Sequence, residues 1–218
     1  MQEIKTISAY KQSLRERILE TAMSAFVENG IRGVKMDDIA SRLSISKRTL
    51  YEIFDNKEDL LFEGVKRYHE LVGKRMREIG EESANVMEIL LNAYRLKIEE
   101  FRSTNTAFYS DIVKYPQIVD FLNAEKIDMR SRQIEFLKRG VAEGYFRPDV
   151  DYELTGFMLD ALGQCVVAEE LYKRYPIEEI FKNLIFVTLR GFCTMKGIEV
   201  LDAFQSQPTT DAGRAAGR

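Results

Sequence analysis

A chain of 218 residues with 45% hydrophobic content is long enough for one large or two small domains and has ample material for a buried core. Its longest apolar run, residues 180–192, is interrupted by Lys182, Asn183 and Arg190 and falls short of the roughly 18 to 20 residues of a membrane span, while Met1-Gln2-Glu3-Ile4-Lys5 lacks the apolar segment of a signal peptide, so a cytoplasmic protein without a membrane partner is expected. The net charge of −3 excludes a uniformly basic chain, yet Lys35, Arg42, Lys47, Arg48 and Lys57 crowd one short stretch while Glu99, Glu100, Glu169, Glu170, Glu178 and Glu179 lie farther on, giving a mildly basic head on an acidic body.

Ser13-Leu14-Arg15-Glu16 has the form of a capping box, which predicts that the first helix begins there. Leu14, Ile18, Ala22 and Phe26 recur every four residues along it, and Asn29-Gly30 supplies a left-handed stop. A short second helix is predicted over residues 36–43, with Asp37 and Asp38 placed against its dipole. Ser44-Ile45-Ser46 makes a turn, and Ser46 caps a third helix over residues 47–54. Two short helices around a tight turn form a helix-turn-helix, whose second helix enters the DNA major groove. Met36, Ile39, Ala40, Leu43, Ile45, Leu50 and Phe54 are assigned to the core.

Asn56 caps a long fourth helix expected to reach about residue 79, with Glu58 and Asp59 in its first turn. Helical periodicity then fills residues 86–101, 107–115, 117–142, 152–175 and 178–195, with breaks at Gly80, Tyr115-Pro116, the Gly144–Asp149 turn and Tyr175-Pro176. No strand pattern competes. The expected fold is all-α: a head of three helices at residues 1–56, a helical bundle at 57–202, to which the family resemblance described below adds ligand binding and dimerisation, and a disordered tail at 203–218.

Cys165 and Cys193 have neither CxxC spacing nor a neighbouring histidine and read as reduced core thiols. The single histidine, His69, completes no triad, and a diiron bundle built on paired Glu-x-x-His motifs needs two. No catalytic or metal-binding residue is assigned, no cofactor is expected, and an enzyme is not.

Across residues 18–61 the chain resembles the TetR family of bacterial regulators, through Ala25-Phe26, Gly30-Ile31, Asp38-Ile39-Ala40, Ile45-Ser46-Lys47, Thr49-Leu50-Tyr51, Phe54, Lys57-Glu58 and Leu60. The resemblance implies DNA contacts from Lys35, Ser46, Lys47, Arg48, Thr49, Tyr51 and Lys57. Lys47 and Arg48 are the candidates for base edges, where a guanidinium can donate twice to guanine O6 and N7. Thr49 and Tyr51 resemble phosphate-contacting hydroxyls, and Lys57 joins the start of the fourth helix in a phosphate clamp. Three residues depart from the family pattern: Ser44 and Arg48 stand where glycine is common, and Lys35 where threonine often caps the second helix.

The resemblance further implies a homodimer through the last two long helices, residues 154–172 and 177–192. It would grip a near-palindromic double-stranded operator and respond to an unidentified small-molecule effector. Phe101, Phe108, Tyr109, Phe136, Phe157, Met158 and Cys165 could enclose that effector, but an aromatic and methionine stripe more commonly fills a core, so none is assigned. Asp160 and Gln164 could orient a ligand, face solvent or lie in the dimer seam. The alternative to a ligand-responsive repressor is a helical carrier or interaction protein that ignores DNA.

Overall fold

The computed structural model describes residues 2–206. Its helices are α1 (Gln2–Asn29), α2 (Met36–Arg42), α3 (Lys47–Tyr51), α4 (Lys57–Glu82), α5 (Val86–Ser103), α6 (Thr106–Ile112), α7 (Pro116–Ala142), α8 (Tyr152–Ala168), α9 (Ile177–Phe192) and α10 (Met195–Gln205), with a 3-10 turn at Leu171–Lys173. No strand forms among the described residues, and an isolated antiparallel bridge joins Phe146 to Cys193. The fold is all-α, as the periodicity predicts.

Several boundaries differ from the sequence expectation, α3 ending at Tyr51 instead of residue 54 and α6 at Ile112 instead of residue 115. Helix α1 starts at Gln2, not at Ser13, because no proline or glycine interrupts residues 2–29 and a helix once nucleated adds residues readily. The capping-box residues therefore lie inside it, and Glu16 pairs with Arg67 of α4 at 2.8 Å. The helix predicted to run to residue 175 stops at Ala168, and Glu170 then adopts a left-handed φ of +49°. The last predicted helix, residues 178–195, ends early at Phe192, and a further helix that was not predicted, α10, begins at Met195. Arg147 N–H donates to Phe192 O and Thr194 N–H to Tyr145 O, each at 2.9 Å, so a tertiary contact replaces the helical ladder. Thr194 then caps α10 by accepting from Gly197 N–H at 3.3 Å. Gly197 also permits a close approach: a side chain there would meet Tyr145 O at 2.5 Å. Residues 203–205 are thus helical and Ser206 caps their end, with Leu201 buried just before them, and residues 207–218 of the expected tail lie outside the described residues.

The described residues form two compact units, one of the residues up to 78 with 99–128, the other of 79–98 with those from 129 onward. The first unit is built on Ile18, Leu19, Ala22 and Phe26 of α1, Ile39 of α2, Leu50 of α3, Leu60 and Leu61 of α4 and Ile118 of α7. Each of the isoleucine, leucine and phenylalanine side chains among these contributes about 1.5–3 kcal/mol when fully buried. Met36, Ala40 and Phe54 join that core as predicted, while Leu43 and Ile45 pack against it half-buried.

In the second unit, Val86, Met87 and Leu91 of α5 pack with Phe146, Phe186, Leu189, Phe192 and Leu201. Cys193 is buried there, and burial pushes its thiol up to about 11, so it stays protonated at neutral pH. Cys165 is exposed, contrary to its assignment to the core.

Candidate nucleic-acid interface

Helix α2 begins against Lys35, whose side chain has no acceptor with which to cap it. The reverse half of the cap forms instead: the Asp38 carboxylate accepts from Lys35 N–H at 2.8 Å. Asp37 and Asp38 also oppose the positive end of the helix dipole. The turn that follows satisfies the last carbonyls of α2, Ser44 N–H donating to Ser41 O and Ile45 N–H to Ala40 O at 3.1 Å each. This hairpin of backbone forces Ser44 to φ +54°, the left-handed region in which a side chain costs roughly 1–2 kcal/mol.

Ser46 caps α3, its hydroxyl accepting from Thr49 N–H at 3.0 Å and lying 2.8 Å from Thr49 Oγ1. Leu50 is fully buried and Phe54 nearly so, which fixes the rotation of this five-residue helix. The Arg15 guanidinium sits 5.1 Å over the Phe54 ring and ion-pairs with Glu63 of α4 at 2.9 Å. With Leu50 turned inward, Ser46, Lys47, Arg48 and Tyr51 are exposed and Thr49 is half-buried.

Tyr51 is therefore a surface ring, 40% exposed, with Lys47 Nζ 6.0 Å above it. Each cation of α3 has an acidic neighbour that sequence reasoning did not single out. Lys47 Nζ reaches Asp37 Oδ1 at 2.8 Å, and Arg48 Nε reaches Glu52 Oε1 at 2.9 Å. The hydrogen bonds that the two cations donate to these carboxylates raise both above their ordinary ranges. The Arg48 to Glu52 spacing of four was legible in the sequence. The contact between Lys47 and Asp37 exists only once α2 and α3 are folded against each other.

Lys35 is exposed, but Lys57 is half-buried and turned into the head. Its Nζ donates to Ile31 O at 2.9 Å and Val34 O at 3.0 Å, so two of its three donors bind the α1–α2 connection to the start of α4. Asn56 caps α4 as predicted, its Oδ1 accepting from Asp59 N–H at 2.9 Å. The sequence pattern did not anticipate how α6 is held. Asn105 N–H donates to Val27 O and its Nδ2 to Glu28 O, while buried Asp111 accepts from Arg32 N–H at 2.8 Å and pairs with Lys114 at 3.0 Å. Gly30, at φ +76°, lies so close to Ala107 that an added side-chain carbon would approach it to 2.8 Å.

The residues weighed as effector neighbours are distributed between the units. Phe101, Phe108 and Tyr109 form edge-to-face pairs in the first. In the second, Phe136 packs against the core, whereas Phe157, Met158, Asp160, Gln164 and Cys165 are exposed along α8.

A family profile described as "Bacterial regulatory proteins, tetR family" matches residues 18–63, the segment that builds this head. The transcriptional repressor KstR2 of Rhodococcus jostii is 30% identical over 191 residues, covering 84% of this chain and 93% of that protein. The chain belongs to the TetR family. It is a helix-turn-helix DNA-binding transcriptional regulator. The Mycobacterium tuberculosis KstR2 repressor is 28% identical over 155 residues, 68% of this chain and 77% of its own. Among solved structures, a putative transcriptional regulator from Saccharomonospora viridis in complex with choline shares the fold at a TM-score of 0.66 and 24% identity, covering 84% of this chain and 99% of that one. Among the described residues of this regulator, no helix is long and apolar enough to cross a membrane.

Proposed function

We propose that this regulator is a cytoplasmic, effector-responsive repressor that binds a near-palindromic operator as a homodimer and reads it with the exposed face of α3. The observation that carries the reading is the outward presentation of Lys47, Arg48 and Tyr51 on a helix anchored from behind by Leu50 and Phe54. The two cations supply the electrostatic attraction that dominates affinity for a duplex, and the guanidinium can read a guanine edge. Ser46 and Thr49 sit at the start of α3 as candidate phosphate donors, with Lys35 and the remaining donor of Lys57 alongside.

Repression is supported by the names of the KstR2 relatives and needs no polymerase contact. Dimerisation is supported by the second unit, where Leu154, Phe157, Met158 and Leu162 of α8 and Val187 of α9 are exposed at 48–71%. A two-fold dimer would set two heads about one DNA turn apart, or a multiple. An effector that binds better to a conformation with the heads wrongly spaced would lower operator affinity through linkage. The relatives differ in what their names mention, ketosteroid for one and choline for another, and the effector's class is left to experiment.

A mobility-shift titration of the purified chain against DNA upstream of its own coding region tests the function. The expected result is a shifted band that resists unlabelled random competitor. A chain that ignores this DNA even at low salt, and that selects no sequence from a random pool, would instead be a carrier that has lost DNA binding.

A further inference from the structure

We propose that Glu52 sets base specificity by positioning Arg48, so that the guanidinium offers its two terminal amino groups to a guanine in a fixed plane. The inference rests on Arg48 being the residue that reads bases, as set out above. A guanidinium carries its five donors in one rigid fork, one on Nε and four on the terminal nitrogens. On an exposed helix the long arginine side chain samples many rotamers, and binding must freeze them.

Here the Glu52 carboxylate, one helical turn on, holds Nε at 2.9 Å. That donor lies on the flank of the fork. The opposite edge remains for guanine O6 and N7, and the Arg48 side chain is 89% exposed. The pair is solvent-accessible and adds little to folding stability, so its contact is better explained by what it does to the arginine than by what it does for the head.

Glu52 has a second effect of opposite sign. Its carboxylate is 58% exposed at the C-terminal cap of the helix that carries the cations, and it repels phosphates whatever the sequence. Glu52 thus lowers affinity for all DNA while sharpening the choice at one base pair per half-site. A residue with a merely structural role would change both together.

The test uses the full chain and a duplex selected by it from a random DNA pool. Fluorescence anisotropy compares that duplex, versions with each G·C pair replaced, and a scrambled duplex, with equal melting temperatures verifying that each variant is folded. Arg48→Ala is expected to erase the preference at one base pair of each half-site. Glu52→Ala is expected to cut the preference at that same pair at least about threefold while raising affinity for the scrambled duplex. Glu52→Gln keeps an acceptor without the charge, so it should share the rise and retain most of the preference. If Arg48→Ala erases the preference and Glu52→Ala leaves it intact, or lowers it equally at every pair, the positioning role is wrong. If Arg48→Ala leaves every preference unchanged, the base-reading assignment of Arg48 fails, and this proposal with it.

Discussion

Lys57 carries two demands at once. Its bonds to Ile31 O and Val34 O close the head, and hydrogen bonds from a charged donor are worth about 1.5–3 kcal/mol each when their partners are removed from water. Half-burial reduces that figure, so Lys57→Met is expected to destabilise the protein by about 1–2 kcal/mol in chemical denaturation and to weaken binding to all duplexes by a similar factor. An unchanged denaturation midpoint would show that the two carbonyls are satisfied equally well by water. Ser44 offers the opposite case. Its left-handed backbone is a conformation that glycine adopts freely, and Ser44→Gly should raise stability by about 1 kcal/mol with operator preference unchanged. The turn conformation at Ser44 was legible from its place in the family pattern, as was the outward face of α3. The pairing of Asp37 with Lys47 went unread because it forms only across the folded surface, whereas Glu52, four residues beyond Arg48, was within reach of the sequence and was not drawn.

At the level of elements, the helix-turn-helix was legible because each signal was local: the Ser46 cap, the Asn56 cap, and apolar residues at helical spacing. Elements defined by distant contacts were not. The start of α10 depends on residues 145–147 bonding to 192–194, and the anchorage of α6 depends on Asp111 finding the Arg32 amide 79 residues away. Burial pushes the Asp111 carboxyl up, but the Arg32 amide and Lys114 ammonium outweigh it and hold the group below its ordinary range. A lowered folded-state pKa contributes stability above the unfolded value, near 4, and that contribution is lost as pH falls through the folded value. Asp111→Asn should therefore destabilise the protein by about 1–2 kcal/mol at pH 7, and the gap from the parent should narrow in melts taken below pH 4. A gap independent of pH would mean that the carboxylate charge plays no part in holding α6.

For the whole molecule, the all-α class followed from periodicity and the DNA-binding regulator from the family resemblance of residues 18–61. The division into units did not, since the first unit recruits residues 99–128 from beyond the head. The proposed homodimer rests on the apolar side chains left exposed on α8 and α9. Replacing Phe157 and Val187 together with glutamate should convert a dimer to a monomer in analytical ultracentrifugation, with helix content unchanged, because charge is costly in a desolvated interface. A dimer that survives both substitutions would place the interface elsewhere. The central claim is that α3 enters the major groove, and guanine N7 lies only there. Methylation protection on the selected duplex tests it most directly. The account predicts N7 protection at symmetric positions in two half-sites about 34–36 Å apart, or a multiple, and its disappearance at those positions in Arg48→Ala. Binding that leaves every N7 open to methylation would contradict it.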